Sequence, residues 1–257
     1  MKRSLISIRV HLILFCLFLF LSIKELGCPA AGKQQRDIFS AQPRDIISRN
    51  AFKNKETIKF GAYSKGIKIG SGELIYLGTE NLNNIEVQHI VLKVSTFSFV
   101  DKENIYGRLD FSVPVKVERS LRFLGRNESI IEKYSPDKRS VMITKSVEDG
   151  SSVIQEIKSN EEFGNVLLLI YRLRNDKDMN VGKIYKIVLP TQKFDLIVRE
   201  KRRIKVPLGS FEAFFLESHP PKYKIWLSSG KEKTPLRIQG LIATGLVYLS
   251  AISVDGP

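Results

Sequence analysis

Residues 58–76, IKFGAYSKGIKIGSGELIY, decide the fold class of this chain. Ile58, Phe60 and Ala62 alternate with smaller or more polar residues, which is the period-two pattern of a strand with one buried face. A turn at residues 64–66 follows, and a second alternating run comes directly after it. Two alternating runs joined by a short glycine-containing turn predict an antiparallel β-hairpin.

The same alternation recurs along the rest of the chain, in short runs separated by Gly, Asn, Asp and Pro. The runs cover residues 85–94, 113–123, 185–189, 196–198, 223–227 and 241–251. This pattern predicts a mainly β domain, either an antiparallel sandwich or an open barrel. Pro114 lies inside one run and has no N–H to donate, which predicts a sheet edge or a β-bulge. Gly70-Ser71-Gly72 lacks the strand–loop–helix context of a phosphate-binding loop, and we expect it to bend a strand.

Residues 161–174 follow a different period. Apolar residues recur there at helical spacing, which predicts one short helix of about three turns. Asn160 or Ser159 is the expected N-cap, because two acidic residues follow in the first turn. A single helix among many strands could close one open end of a barrel.

The first thirty residues carry the pattern of a secretory signal. Lys2, Arg3 and Arg9 precede a predominantly apolar run over residues 10–23, and small residues follow it. A run of this length spans about 21 Å as a helix, which is shorter than the ~30 Å hydrocarbon core of a bilayer. We therefore expect a cleaved signal. An uncleaved membrane anchor is the alternative, because apolar residues before the run lengthen it.

These observations predict the organisation of the whole chain. We expect a signal peptide at residues 1–30, a polar linker at 31–50 and a single β-rich domain at 51–257. The expected location is the periplasm or cell envelope, with membrane attachment as an open alternative.

The cleavage site has two interpretations. Signal peptidase can cut after Ala30, with Cys28 and Ala30 as the small residues of its site. Alternatively, Cys28 is the lipid-modified residue of a lipoprotein, although Glu25 stands where such signals usually carry an apolar residue. Attachment to a membrane would then use the lipidated Cys28 or an uncleaved signal. The only other cysteine, Cys16, lies within the signal, so we expect no disulfide in the domain.

The chain is strongly basic, with a formal net charge of +14. The first thirty residues contribute +3 of this charge, which leaves +11 for the remainder. A domain with this charge is suited to lipid head groups, lipopolysaccharide or acidic polysaccharide. Nucleic acid is the usual partner of so basic a domain, but export would remove it from the compartment. A well-solvated surface explains the same charge without any partner.

Residues 199–205 concentrate the positive charge. Alternate residues of a strand point to the same face, so the basic residues at odd positions are expected to form one row. Like charges in a row repel one another, and phosphate or carboxylate groups of a ligand would relieve that repulsion. The candidate binding residues are therefore Arg199, Lys201, Arg203 and Lys205. The alternative is a solvated edge strand whose charges prevent aggregation.

No catalytic or metal-binding constellation is recognisable in the sequence. His89 shares an expected strand face with Ile85 and Val87, which predicts a histidine in the core or at its rim, and His219 precedes two prolines in a loop. Two histidines without clustered carboxylates or cysteines do not make a metal site. Ser228-Ser229 has no histidine near it in sequence. The remaining acid–base candidates are Asp101, Glu103 and Asp110, which surround an expected turn. We therefore expect no metal, no cofactor and no enzymatic activity.

Four segments are shared, in order, with a known family. They are residues 66–73 (GIKIGSGE), 163–187 (FGNVLLLIYRLRNDKDMNVGKIYKI), 199–218 (REKRRIKVPLGSFEAFFLES) and 224–250 (KIWLSSGKEKTPLRIQGLIATGLVYLS). Over about residues 52–253 the chain resembles the exported bacterial domain-of-unknown-function family 3108. Ser229-Gly230 departs from that family, which usually carries an acidic residue there. The resemblance implies an exported β protein and brings no activity or catalytic residues with it.

Three function classes remain. A non-catalytic envelope module that binds a lipid or other anionic ligand is the leading hypothesis, because the mouth of an open barrel can hold an apolar ligand. A structural or protein-binding scaffold that uses an exposed sheet edge is the first alternative, and a filled barrel would favour it. An enzyme acting on envelope polysaccharide or lipid is the second, and it needs two carboxylates, or a serine and a histidine, in one cleft.

Overall fold

Strands dominate residues 55–241 and 247–256, which are the residues that the structure, a computed structural model, describes. The predicted signal, the linker and Cys28 lie outside these residues. The elements are β1 (Glu56–Ser64), β2 (Ile67–Leu82), β3 (Ile85–Thr96), β4 (Phe99–Gly107), β5 (Pro114–Phe123), β6 (Arg126–Tyr134), β7 (Ser140–Val147), β8 (Ser152–Lys158), α1 (Val166–Asn175), β9 (Ile184–Val188), β10 (Lys193–Val206), β11 (Gly209–His219), β12 (Lys224–Ser228), β13 (Pro235–Gln239) and β14 (Val247–Asp255). Within the described part, no helix is long and apolar enough to cross a bilayer.

The strands form one antiparallel sheet in the order β8-β7-β6-β5-β4-β3-β2-β1-β14-β13-β12-β11-β10-β9. Two meanders, β1 to β8 and β9 to β14, are therefore joined by the pairing of β1 with β14. The sheet curls around one core, and its two edges, β8 and β9, form no ladder with each other in the described residues. The prediction of a mainly β, open barrel-like fold with one short helix is confirmed, and the sandwich alternative is wrong because there is one sheet.

The connector between β8 and α1 bridges this break in the sheet. The backbone N–H of Phe163 donates to the carbonyl of Lys138 at 2.8 Å, on the side of β7. The next residue, Gly164, donates to the carbonyl of Val188 at 2.7 Å, at the end of β9. Two adjacent residues thus hold the two edges together at one point.

The first hairpin forms as predicted. All three predicted core residues of β1 are fully buried, and Lys65 and Gly66 make the turn with φ values of 49° and 84°. The register shifts near Gly70, where an added Cβ would lie 2.0 Å from the carbonyl oxygen of Ser95. Glycine is required at this close approach, and the segment bends a strand rather than cradling a phosphate.

Pro114 lies at a β-bulge. It is the first residue of β5, which pairs with β4 and β6 inside the sheet, and the register shifts opposite it at Gly107. The edge alternative is therefore wrong. The bulge and the first position of a strand are two places where a missing N–H is tolerated.

The helix begins five residues later than the sequence predicts. Asn165 is the N-cap, and its Oδ1 accepts hydrogen bonds from the N–H groups of Leu167 and Leu168 at 2.8 and 3.3 Å. The predicted caps Asn160 and Ser159 are wrong because residues 163 and 164 use their N–H groups to tie the sheet edges together. No acidic residue lies in the first turn.

The helix is buried in the core, beside residues at the ends of β1 and β4. Eight of its ten residues are buried. Leu168 packs against β4, where an added Cβ at Gly107 would lie 2.4 Å from Leu168 Cδ2. Tyr171 stacks on Phe111 with ring centroids 5.5 Å apart. A helix that is apolar on nearly all sides belongs in a core, and here it fills the inside of the curled sheet.

A buried ion pair fixes the end of the helix. The Arg174 guanidinium donates to both carboxylate oxygens of Glu56, at 2.6 and 2.8 Å, and its Nε donates to the carbonyl of Glu232 at 3.1 Å. The pair joins α1 to β1, and it neutralises a guanidinium that is otherwise excluded from water.

A second, smaller apolar cluster holds the long β10–β11 hairpin. Its buried members are Ile204, Val206, Ala213, Trp226 and Leu236. The turn of the hairpin is held against β14 by a hydrogen bond from the N–H of Leu208 to the carbonyl of Ala251 at 3.0 Å. The β10–β11 hairpin, which carries the basic residues 199–205, is therefore fixed to the rest of the sheet.

Candidate functional site

The structure places three of the four predicted binding residues in one row. Lys201, Arg203 and Lys205 lie opposite Phe214, Glu212 and Ser210 of β11, on the strand face that continues from the core. The other face carries Ile204 and Val206, and both are buried in the smaller cluster. We call Lys201, Arg203 and Lys205 the basic row.

A β-bulge takes Arg199 out of the row. The register passes from Val198 opposite Leu216 directly to Glu200 opposite Phe215, which leaves Arg199 as the extra residue. Its Nε lies 3.7 Å from Glu217 Oε2. The expectation that four basic residues share one face therefore holds for three of them, because the bulge interrupts the alternation.

The basic row is exposed and only partly neutralised. Lys201 Nζ lies 3.1 Å from Glu212 Oε2. Throughout residues 55–241 and 247–256, no carboxylate lies within 4.0 Å of the side-chain nitrogens of Arg203 or Lys205. Arg203 lies opposite Glu212 in the register, but that carboxylate pairs with Lys201. Oxyanions of a ligand can bind here without displacing a buried ion pair.

A polar cluster that the sequence did not reveal lies inside the curled sheet. It consists of Asp101, Glu103, Arg119, Glu132 and Tyr134, on the core-facing sides of β4, β5 and β6, and we call it the interior polar cluster. Arg119 donates to both oxygens of Asp101, from Nε at 2.9 Å and from Nη2 at 2.5 Å. The Tyr134 hydroxyl donates to Glu132. One guanidinium thus lies among three carboxylates.

Two of these carboxylates bind protons unusually tightly. Burial raises the pKa of Glu103 to about 7, although the nearby Arg119 charge and the Asn165 amide, 3.5 Å away, act in the opposite direction. Burial also raises the pKa of Glu132, against the hydrogen bond from Tyr134. The cluster can therefore take up and release protons near neutral pH. Within the described residues, no group of three histidine, cysteine or acidic side chains is arranged to hold a metal ion.

The interior polar cluster left a signal in the sequence. Asp101 and Glu103 lie between Phe99 and Ile105 at every second position. A strict period of two therefore places both carboxylates on the same strand face as these apolar residues, which is the core face. The sequence interpretation put them beside a turn, which is wrong because they lie within β4. The partners Arg119 and Glu132 come from other strands, and no local pattern joins them.

The other candidate residues have structural partners. His89 is buried, its Nδ1 lies 2.9 Å from Glu80 Oε2, and its ring stacks on Tyr106. It lies on the strand face opposite to the core residues Ile90 and Ile105. Ser228 Oγ accepts from the N–H of Thr234 at 2.8 Å and shapes the turn before β13. Asp110 Oδ1 accepts from Ser112 in another turn. Neither of the last two contacts belongs to a catalytic arrangement.

Two surface cavities lie beside the break in the sheet. Their volumes are about 360 and 320 Å³, and both include residues of the connector and of β9. The larger is lined by Arg139, Arg172 and Lys186 but also by Glu161 and Glu162, so its charge is mixed. Neither includes the basic row or the interior polar cluster.

No family model matches the chain. No curated protein matches it. Among solved structures, a β-barrel-like protein of the domain-of-unknown-function family DUF1849 from Brucella abortus matches over 79% of this chain and 98% of that protein, with 8% identity and a TM-score of 0.45. A candidate exported protein with a YmcC-like fold from Bacteroides fragilis matches 78% of this chain and 95% of its own, at 7% identity and a TM-score of 0.25. A candidate lipoprotein from Parabacteroides distasonis matches 78% of this chain and 94% of its own, at 10% identity and a TM-score of 0.25. Likeness at this level carries no argument about function, and the resemblance to family 3108 stays a prediction.

Proposed function

We propose that this chain is an exported, non-catalytic module of the cell envelope that binds an anionic lipid head group on the basic row of β10. The observation that carries the proposal is that Arg203 and Lys205 are exposed cations that have no carboxylate partner among the described residues, on a hairpin that the structure holds in place. Export rests on the signal-like first thirty residues. A guanidinium and two ammonium groups in a row suit the oxygens of a phosphate.

The ligand is expected to bind at the surface rather than inside the barrel. The side chains of α1 occupy the interior, where a carrier protein would hold the apolar part of a lipid. The basic row lies beyond the filled part of the core, where a head group can reach it from solvent. Binding is therefore expected to use charge and to fall steeply as salt rises.

A soluble lipid tests this proposal without a membrane. We would titrate the exported protein with dihexanoylphosphatidylglycerol below its micelle concentration, by isothermal titration calorimetry. The triple variant Lys201→Glu, Arg203→Glu, Lys205→Glu should bind at least about tenfold more weakly, which corresponds to 1.4 kcal/mol.

A charge-matched control separates the row from net charge. The variant Lys102→Glu, Lys133→Glu, Lys177→Glu changes three exposed lysines elsewhere by the same total charge. It should bind nearly as well as the parent protein at moderate salt. Equal loss in both variants, or no saturable binding by the parent, would rule out the basic row as the binding site.

A protein-binding scaffold is the second candidate, and the free edge of β8 favours it. The N–H of Ser159 donates to Arg139 and the N–H of Val147 donates to Ser151, so the odd residues of β8 face β7. The backbone groups of the even residues 152, 154, 156 and 158 therefore point away from the sheet. Val153 and Ile154, on opposite faces of this edge, are both exposed. An extended strand of another protein could pair there.

Photo-crosslinking at this edge tests the second candidate. A benzophenone side chain at position 154 should give a discrete crosslinked protein in the bacterial envelope, and the same group at exposed position 177 should not. The substitution Glu156→Pro removes an outward N–H and should abolish the product. A product that persists with Glu156→Pro would argue against strand pairing.

A further inference from the structure

Large apolar side chains protrude from three consecutive hairpin turns at one end of the sheet. Ile67 follows the β1–β2 turn and is 69% exposed, Phe97 forms the β3–β4 turn and is 88% exposed, and Leu124 forms the β5–β6 turn and is 67% exposed. Phe123, which is 40% exposed, adds a fourth apolar side chain beside Leu124. We call Ile67, Phe97, Phe123 and Leu124 the apolar rim.

The rim is one contiguous surface. The N–H of Leu124 donates to the carbonyl of Ser98 at 3.0 Å, which ties the β5–β6 turn to the β3–β4 turn. Phe99 lies directly opposite Phe123 in the register. The β1–β2 turn is the next turn along the same edge. The pairing of β2 with β3 begins with Gly70 opposite Thr96, so Ile67 lies three residues beyond the paired region, on the side of the β3–β4 turn. Three turns in neighbouring hairpins thus present their apolar side chains together.

The residue choice at the β5–β6 turn does not follow from turn chemistry. Leu124 and Gly125 have φ values of 48° and 81°, which describes a two-residue turn with both residues in the left-handed region. Asn, Asp or Gly are the residues that favour this conformation. An exposed leucine there gains nothing from the turn and little from the core, so an external contact is the reason we assign to it.

Positive charge surrounds the rim. Lys65 and Lys68 flank Ile67, and Arg122 and Arg126 flank Phe123 and Leu124; all four basic residues are exposed. Residues 64–69, 95–99 and 122–127 contain no aspartate or glutamate. Exposed apolar side chains ringed by cations match the two layers of a lipid surface, the acyl region and the phosphates above it.

We propose that the apolar rim inserts into the outer layer of an anionic lipid bilayer, with Lys65, Lys68, Arg122 and Arg126 on the phosphates. A bilayer fits the rim better than a second copy of the chain does, because two rims face to face would bring eight cations together. The Glu148 carboxylate of each copy, which accepts from the N–H of Asn127 at 3.3 Å, would offset only part of that charge. This docking goes beyond head-group binding on β10. The basic row and the rim belong to different hairpins, so either can bind when the other does not.

Vesicle binding tests the rim directly. Exported protein would be sedimented with vesicles of phosphatidylcholine alone and of phosphatidylcholine with about one-third phosphatidylglycerol. We expect binding to the anionic vesicles, and a loss of at least about tenfold in the partition coefficient for the double variant Phe97→Ser, Leu124→Ser. The matched control is Val181→Ser, Ile184→Ser, which removes two exposed apolar side chains away from the rim and should bind as the parent does.

A fluorescent reporter shows whether the rim enters the lipid. The native Trp226 is buried, so Phe97→Trp in a Trp226→Phe background places the only indole on the rim. Its emission should shift to the blue with anionic vesicles and be quenched by brominated acyl chains. An unshifted emission, or equal binding by the rim variant and the parent, would overturn the proposal. The soluble-lipid titration compares variants of the basic row, and the vesicle assay compares variants of the rim, so the two proposals fail separately.

Discussion

At the scale of single residues, the buried Glu103 of the interior polar cluster makes the stability of the protein depend on pH. Glu103 has a folded-state pKa of about 7, above the ordinary value of 4.5, because burial penalises its charged form. Between these two pH values the folded protein binds more protons than the unfolded chain. The free energy of unfolding therefore falls as pH rises from about 4.5 to about 7, and it stays lower above that range.

The substitution Glu103→Gln should remove this pH dependence. At pH 8 the variant should be more stable than the parent by about 1–3 kcal/mol, because it no longer carries a buried charge. At pH 4 the two proteins should differ little. Urea denaturation at several pH values measures the effect, with Glu86→Gln, an exposed glutamate of β3, as the control. A constant difference across this pH range would contradict the assignment.

Removal of Arg119 should have the opposite sign at neutral pH. Asp101 is buried and Arg119 is its bidentate partner, so Arg119→Gln removes the counter-charge of this carboxylate. We expect a loss of about 2–3 kcal/mol at pH 7, and a smaller loss in the double variant Asp101→Asn, Arg119→Gln. A double-mutant cycle by chemical denaturation measures the coupling. Additive losses would mean that the two side chains do not stabilise one another.

At the scale of elements, the start of α1 separates what sequence can predict from what it cannot. The existence of a helix near residues 161–174 follows from local spacing. The first residue of the helix does not follow from local spacing. The N–H groups of Phe163 and Gly164 donate to the carbonyls of Lys138 and Val188, which are distant in sequence. Likewise, alternation predicts the hairpins but not the bulge at Arg199, and it is the bulge that decides which basic residues form a row.

The helix cap makes this difference measurable. Asn165→Ala should lower the free energy of unfolding by about 1 kcal/mol, because two helical N–H groups lose their acceptor. Asn160→Ala, at the position that local sequence favours as the cap, should change stability by less than about 0.5 kcal/mol. Thermal and urea unfolding of both variants compare them under the same conditions. The reverse order would place the helix start where the sequence alone puts it.

At the scale of the whole molecule, the continuity of the sheet depends on the pairing of β1 with β14. These strands pair along nearly their whole lengths, and β14 also pairs with β13. Sequence alone could predict that both strands exist, but not that the two ends of the domain meet. Removal of residues 247–257 should therefore abolish cooperative unfolding rather than trim a terminus.

Circular dichroism during heating tests this consequence of the topology. The truncated chain should lack a sharp transition, because β1 loses one neighbour and the core loses Val247, Leu249 and Ala251. The substitution Ile154→Pro at the free edge is the comparison, and it should retain a cooperative transition within a few degrees of the parent. A sharp transition in the truncated chain would mean that each meander folds by itself.

The β1–β14 pair also orders events during synthesis. A ribosome releases β1 among the first residues of the domain and β14 among the last, so one side of β1 has to wait for nearly the whole domain to be made. Contacts this far apart in sequence form slowly. The sheet of the nascent chain therefore stays incomplete until its final strand is made, and a product that stops short of β14 exposes an unpaired β1 edge to chaperones and proteases.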